Sequence, residues 1–159
     1  MPLSPHVITG REAPDALSEP LQALVAFYDA FNTADLEKMT RIWAHTDDVV
    51  MANPVGGVTI GWDQIQAVYA RIFHGLVTVS VEFYDYVLAQ SATLFYVTGR
   101  ERGTFRRDTT TVELAIRTSR IFQHIDGHWL QVHHHGSIDD PDLLARYQAA
   151  VHGTQLPGA

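Results

Sequence analysis

The segment WLQVHHHGS, residues 129–137, carries three consecutive histidines inside an alternating run. Imidazole is the side chain whose ordinary pKa lies close to neutrality, which makes it the natural acid–base group of this chain. On an extended strand, Trp129, Gln131, His133, His135 and Ser137 share one face, while Leu130, Val132, His134 and Ile138 share the other. Both faces carry apolar residues, so alternation leaves open which one meets a cavity. His133 and His135 are taken as the candidate catalytic pair. They stand about 7 Å apart along the strand, a spacing that would also suit two metal ligands, with Glu82, Glu101 or Glu113 as a third. The pattern favours a polar contact to an organic ligand over a metal, and half-buried histidines bonded to their neighbours are the bland alternative.

Arginine placement is the second signal. Arg100 and Arg102 share a face of one segment, and Arg117 and Arg120 lie on opposite faces of the next, among Leu114, Ile116, Ile121 and Phe122. A guanidinium in such a strand is costly unless it is paired or faces water. Bidentate recognition of a carboxylate is one reason to hold it there, and a pair with Glu82, Glu101 or Glu113 is the other. Arg117 or Arg120 is expected in a cavity, with Arg100 as a further ligand contact. Arg106 and Arg107 adjoin Asp108 and a threonine run, where a solvated turn is expected. Tyr28 and Trp43 join the candidate ligand-binding set because early helices would cover a pocket mouth, although core packing explains most aromatic residues.

These groups need a frame. Leu21, Leu24, Val25, Tyr28 and Phe31 recur at helical steps, with Ser18 as a cap. A short second helix is expected over residues 35–44, and a third over residues 62–73. Between them DDVVMANPVGG reads as a short strand stopped at Asn53-Pro54. After Gly75 the period changes to two, with long β runs over residues 77–83, 93–105, 111–125 and 129–138 and a turn at Asp126-Gly127. A last helix over residues 141–151 starts at Asp140-Pro141, a favourable cap followed by proline at the first helical position. Helices first and a long antiparallel sheet later describe an α+β fold. Strands of this length must curl, and helices on the concave side then enclose a pocket.

The chain has 159 residues, one domain's worth, with 46% hydrophobic and 18% charged residues. It has no cysteine, which excludes disulfides, thiolate metal sites and cysteine nucleophiles. A formal charge of −7 argues against nucleic acid as a partner. No secretory signal or membrane span is visible, and a cytoplasmic location is expected. There is no phosphate-binding glycine loop and no nucleophilic serine elbow. Residues 1–17 read as a flexible leader, 18–152 as the domain, and 153–159 as a flexible tail.

Several motifs resemble the SnoaL-like branch of the nuclear transport factor 2-like superfamily. FNTADLEKM followed by Trp43 resembles its first helix pair, and DDVVMANPVGG followed by Gly61-Trp62 resembles its first strand and the start of its third helix. RTSRIFQHIDGHWLQVHHHGS, residues 117–137, is similar to its closing strands and to those of the calcium/calmodulin-dependent protein kinase II association domain. The resemblance implies a cystatin-like cone, a curved antiparallel sheet with N-terminal helices covering its concave face. In the association domain the arginine matching Arg120 helps line a carboxylate-accepting pocket. The superfamily also implies a residue-level comparison with ketosteroid isomerases. Asn53 stands where they carry a basic aspartate, Phe27 where they carry a donating tyrosine, and the position of their protonated acid falls near Thr118, so that mechanism is not expected. Asn53 is kept as a ligand contact.

The expected function is small-molecule binding, with a histidine-driven, cofactor-independent isomerase, dehydratase or cyclase as its catalytic form. The ligand would be a small carboxylate or carbonyl compound. The rival is a non-catalytic association module, and in either case a homodimer through the sheet is expected.

Overall fold

In a computed structural model, which describes residues 2–153, the first apolar stripe forms one side of α1 (Glu19–Asn32). Leu24, Val25 and Tyr28 are buried there, and Leu21 and Phe31 are half-buried. Ser18 occupies the cap position without a side-chain bond to the helix. α2 (Leu36–Ile42) is capped by Asp35, whose carboxylate accepts from the Lys38 amide at 2.9 Å. α3 (Trp62–Phe73) and α4 (Pro141–His152) follow the expected spans closely. Asp140 caps α4 by accepting from the Asp142 and Leu143 amides, and Gly153 closes it in the left-handed conformation.

Six strands form one sheet in the order β2-β1-β6-β5-β4-β3. They are β1 (Val50–Ala52), β2 (Val58–Ile60), β3 (Val77–Gln90), β4 (Leu94–Arg107), β5 (Thr110–Ile125) and β6 (His128–Ser137). The four long strands pair antiparallel, as alternation predicts. The sheet is not wholly antiparallel, because β1 pairs parallel with β6, Met51 opposite His134. β2 has no signal in the sequence, since Val58, Thr59 and Ile60 are too short a run between glycines to announce a strand.

Two bulges bend the sheet. In β3 the register shifts between Tyr84 and Val87, with Asp85 at φ 48°. In β6, Ile121 faces His133 while Phe122 faces Gln131, which leaves Val132 as the extra residue. A bulge strengthens local twist and reverses the parity of everything beyond it. Gly99 lies under the first bend. A Cβ there would come within 2.6 Å of the Tyr86 Cβ and 2.8 Å of the Phe83 ring, so only glycine admits this approach. The curled sheet and the covering helices make the α+β cone.

The core runs between the helices and the concave face, through Leu24, Phe27, Met39, Trp43, Ile65, Phe83, Phe95 and Phe122. The leader is attached to the sheet. Ile8 is buried and exchanges two backbone bonds with Phe83, at 2.8 and 2.9 Å, and the Ser4 amide donates to Tyr86 at 2.8 Å. This strand-like contact covers part of the β3 edge. The tail expected over residues 153–159 lies, beyond Gly153, outside the described residues. No helix among the described residues is long and apolar enough to cross a membrane.

Candidate functional site

The inner faces of β4, β5 and β6 converge on a cavity of about 640 Å³ between sheet and helices. On β4 the inward set is Phe95, Val97, Gly99, Glu101, Gly103 and Phe105, which places one carboxylate in an otherwise apolar or side-chain-free row. On β5 the buried alternates are Val112, Leu114, Ile116, Thr118, Arg120 and Phe122. β6 contributes Gln131, His134 and Gly136.

At the deep end, four side chains form a buried network. Arg120 donates to Glu101 at 2.9 Å, to the Gln131 side-chain oxygen at 3.2 Å and to the Tyr28 hydroxyl at 3.4 Å. Tyr28 in turn donates to Glu101 at 2.7 Å. Both short bonds end on Oε1 of Glu101, so Oε2 makes no hydrogen bond among the described residues. Arg120 is 2% exposed and Glu101 5%, and the guanidinium also lies 3.6 Å from the centre of the Phe27 ring. Burial raises the Tyr28 hydroxyl well above the usual tyrosine range, and the Glu101 charge raises it further. Burial works against the Arg120 charge, but Tyr28 and Glu101 outweigh it and hold the guanidinium protonated.

His134 stands directly across from Arg120 in the β5–β6 register, on the same inner face. Neither ring nitrogen has a hydrogen-bond partner among the described residues, although the residue is 8% exposed and lines the cavity. Burial lowers its pKa well below the histidine range, and the neighbouring Arg120 charge lowers it further. The imidazole is therefore neutral at neutral pH, with one donor and one acceptor nitrogen. A buried polar group without a partner is costly and calls for an explanation.

The positions of the other expected site residues divide cleanly. His133 and His135 lie on the outer face of the sheet, half-buried and exposed respectively, and this corrects their expected place in the pocket. The Val132 bulge is the reason, since it puts Trp129 and Gln131 on the same side as His134 rather than His133. The Trp129 ring packs edge-on against the inner residue Phe95 at 5.1 Å. Arg117 also faces outward, bound to Asp139 at 2.9 Å and to the Ser137 hydroxyl at 3.1 Å. Arg100 is exposed on the same outer face. Arg120 and Tyr28 are thus the two expected contacts that meet at the deep end.

Trp43 is 1% exposed and belongs to the core, stacked on Trp62 and touching Tyr69 rather than lining the cavity. Asn53 does line it, but its side-chain oxygen accepts from the Val55 amide at 3.2 Å and so shapes the turn after β1. Arg107, expected in a solvated turn, is half-buried and lines the cavity, donating to the Val151 carbonyl at 2.8 Å. The sequence alone marks Glu101 as an arginine partner or a metal ligand, not as a group of the cavity. Its signal was present: a carboxylate in phase with Phe95, Val97 and Phe105, between two glycines of the same parity.

Among the described residues, no group of three or more His, Cys, Asp or Glu side chains is placed to hold a metal ion. His133 and His135 lie outside the sheet while Glu101 lies inside, and Glu82 is paired with Arg102.

A curved sheet, helices over its hollow side and a buried polar cluster at the base define a nuclear transport factor 2-like cone. The SnoaL-like domain family matches residues 21–141, and the chain belongs to that family. No curated protein matches it significantly. Among solved structures, the chain is similar to a candidate dehydratase of the nuclear transport factor 2-like family from Streptomyces avermitilis, with 20% identity, 75% of this chain and 92% of the other covered, and a TM-score of 0.68. A ketosteroid isomerase-like protein from Erwinia carotovora atroseptica shares 22% identity over 81% and 100% of the two chains, with a TM-score of 0.64. A candidate calcium/calmodulin-dependent protein kinase type II association domain from Thiobacillus denitrificans shares 22% over 78% and 98%, at 0.62. At these identities the likeness is one of fold.

Proposed function

We propose that the cone binds a small, partly apolar carbonyl compound and catalyses a cofactor-independent proton transfer on it. The observation that carries this reading is the pairing of an unbonded Glu101 oxygen with a partnerless, neutral His134 imidazole on the inner face of one cavity. Glu101 would take a proton from the carbon beside the carbonyl, through Oε2. Tyr28 and Arg120 fix its other oxygen, so the base is already oriented. The carbonyl oxygen, gaining negative charge, would accept a hydrogen bond from the His134 N–H. A neutral imidazole can serve as such a donor. Returning the proton to another carbon gives an isomer. Expelling a β-hydroxyl as water gives a dehydration, and adding the enolate to a second carbonyl of the same molecule gives a ring. Each of these conserves the proton without a metal or a redox partner. The histidine assigned is thus His134, in place of His133 and His135.

The test follows the abstracted proton. In deuterated water, a panel of small enolisable ketones incubated with the protein is expected to gain deuterium beside the carbonyl, measured by mass spectrometry. Glu101→Gln should abolish the gain and His134→Ala should reduce it at least tenfold, while His135→Ala, altered on the outer face, should leave it unchanged. Exchange that survives Glu101→Gln, or that depends on His135, would overturn these roles.

One observation favours a second property, a homodimer through the outer sheet face. Arg100 and Arg117 are directly opposite each other on adjacent strands there, and like charges in that position destabilise a sheet. Arg117 is relieved by Asp139, but Arg100 has no carboxylate partner among the described residues. A facing copy would supply one. Sedimentation equilibrium should give a dimer that Arg100→Glu weakens. A monomer at all concentrations removes this reading, and a dimer without deuterium exchange favours a non-catalytic association module.

A further inference from the structure

The cavity has two ends of different electrical character. Its deep end holds Glu101, Arg120 and His134, all buried. Its mouth is marked by exposed wall residues, among them Arg71 from the last turn of α3, Leu76 just before β3, and His152 at the end of α4. Arg107, the last residue of β4, stands half-buried between mouth and interior. Between the ends the wall is mostly apolar, with Phe31, Val79, Phe105 and Ile116, and the Tyr147 ring packs edge-on against Phe105.

The charges of the deep end cancel. Arg120 is in an ion pair with Glu101 and also donates to Gln131 and Tyr28, so it presents no free positive charge to a ligand. A carboxylate brought there would have to compete with Glu101 and would sit beside its negative charge. The mouth is the reverse. Glu101 is the only acidic residue among those lining the cavity, and Arg71 and Arg107 have no carboxylate partner among the described residues. This holds in a chain with 18 acidic and 11 basic side chains, where partners are plentiful. Each arginine lies near a helix C-terminus, Arg71 in α3 and Arg107 against Val151 of α4. The partial charge of such an end, about half an elementary charge, offsets a guanidinium only in part. Arg107 uses one donor on Val151, and a guanidinium has four more.

We infer that the ligand is an elongated monocarboxylate, its reactive carbonyl at Glu101 and His134, an apolar middle against Phe105 and Ile116, and its carboxylate held at the mouth by Arg71 and Arg107. The inference rests on the cavity being the binding site, and it names the class of molecule that fits there. Length follows from the strand. Glu101 and Arg107 are six residues apart on β4, on the order of 20 Å between backbones, so a compact two- or three-carbon acid cannot touch both ends. The position of the charge also reverses the role that family resemblance gives Arg120: it orients Glu101, and the carboxylate is recognised at the other end.

Octanoate and octanamide, equal in length and differing in charge, test this by calorimetric titration of the whole chain at low salt. Octanoate is expected to bind at least tenfold more tightly than octanamide. Arg71→Glu, a change at an exposed position, should remove that advantage and leave octanamide affinity unchanged. Arg107→Gln should act in the same direction, and because Arg107 also holds α4, its unfolding midpoint is measured alongside. Added salt should weaken octanoate alone. Equal affinities for the two probes, or an octanoate preference that survives Arg71→Glu, overturns the mouth assignment while leaving the cavity as a binding site. Failure of both probes to bind overturns it as well, and deuterium exchange on ketones then decides the cavity reading separately.

Discussion

Arg120 and Glu101 face each other 2.9 Å apart on adjacent inner strands, with side chains only 3% and 6% exposed. Neither charge has much access to water, so each depends on the other. Arg120→Met leaves a buried carboxylate with only the Tyr28 hydroxyl, and we expect a loss of about 3–5 kcal/mol. Combining it with Glu101→Leu removes both charges and should recover most of that loss, because a well-packed apolar pair is close to neutral in stability. Urea unfolding of the two single variants and the double variant measures this. A double variant less stable than Arg120→Met would show that the pair is net stabilising.

His134 sets a pH dependence of stability. Its folded pKa is lowered, by burial first and then by Arg120, His133 and His135. Between the unfolded value of about 6.5 and the lower folded value, the unfolded chain holds a proton at this position that the folded chain does not. Stability from this residue is therefore full above about pH 7 and falls as the pH drops through 6.5, with a slope of up to about 1.4 kcal/mol per pH unit. Replacing His134 with leucine should flatten the curve between pH 6.5 and 5. Thermal midpoints across that range check it, and an unchanged slope would mean that the imidazole protonates in the folded state.

Gly136 makes room for the Pro54 ring. A Cβ there would lie 2.9 Å from Cδ of Pro54 and 3.4 Å from Nε2 of His134. Gly136→Ala should cost about 1–3 kcal/mol as overpacking. It should also weaken ligand binding, since Pro54, which lines the cavity, must move. Chemical denaturation together with titration of the same probes separates the two effects, and a variant with wild-type values in both would show that this contact is soft.

Much of the frame was legible because it depends on patterns that neighbouring residues set. The helical steps of Leu21, Leu24, Val25, Tyr28 and Phe31 fix α1, and the Asp140-Pro141 start fixes α4. The four long strands follow from period-two alternation and the Asp126-Gly127 turn, whose two residues have positive φ. What surrounds the cavity was legible in side-chain type but not in orientation. Arg120 and Tyr28, both named from the sequence, meet at 3.4 Å, and a histidine of the 133–135 run faces inward. The choice among His133, His134 and His135 hinged on an extra residue at Val132, and nothing local marks it, since neither glycine nor proline is present there. Glu101 is hard to read in the sequence for a different reason. Its meaning depends on Tyr28 and Arg120, which lie 73 and 19 residues away in sequence.

The run of three imidazoles has a consequence for how tolerant this strand is to slippage. With the extra residue at Val132, His134 points inward. If the irregularity slid toward Ser137, His133 and His135 would turn inward in its place. Either phase of β6 offers nitrogen to the interior, so an error of one position that would scramble most strands leaves the chemical character of this wall intact.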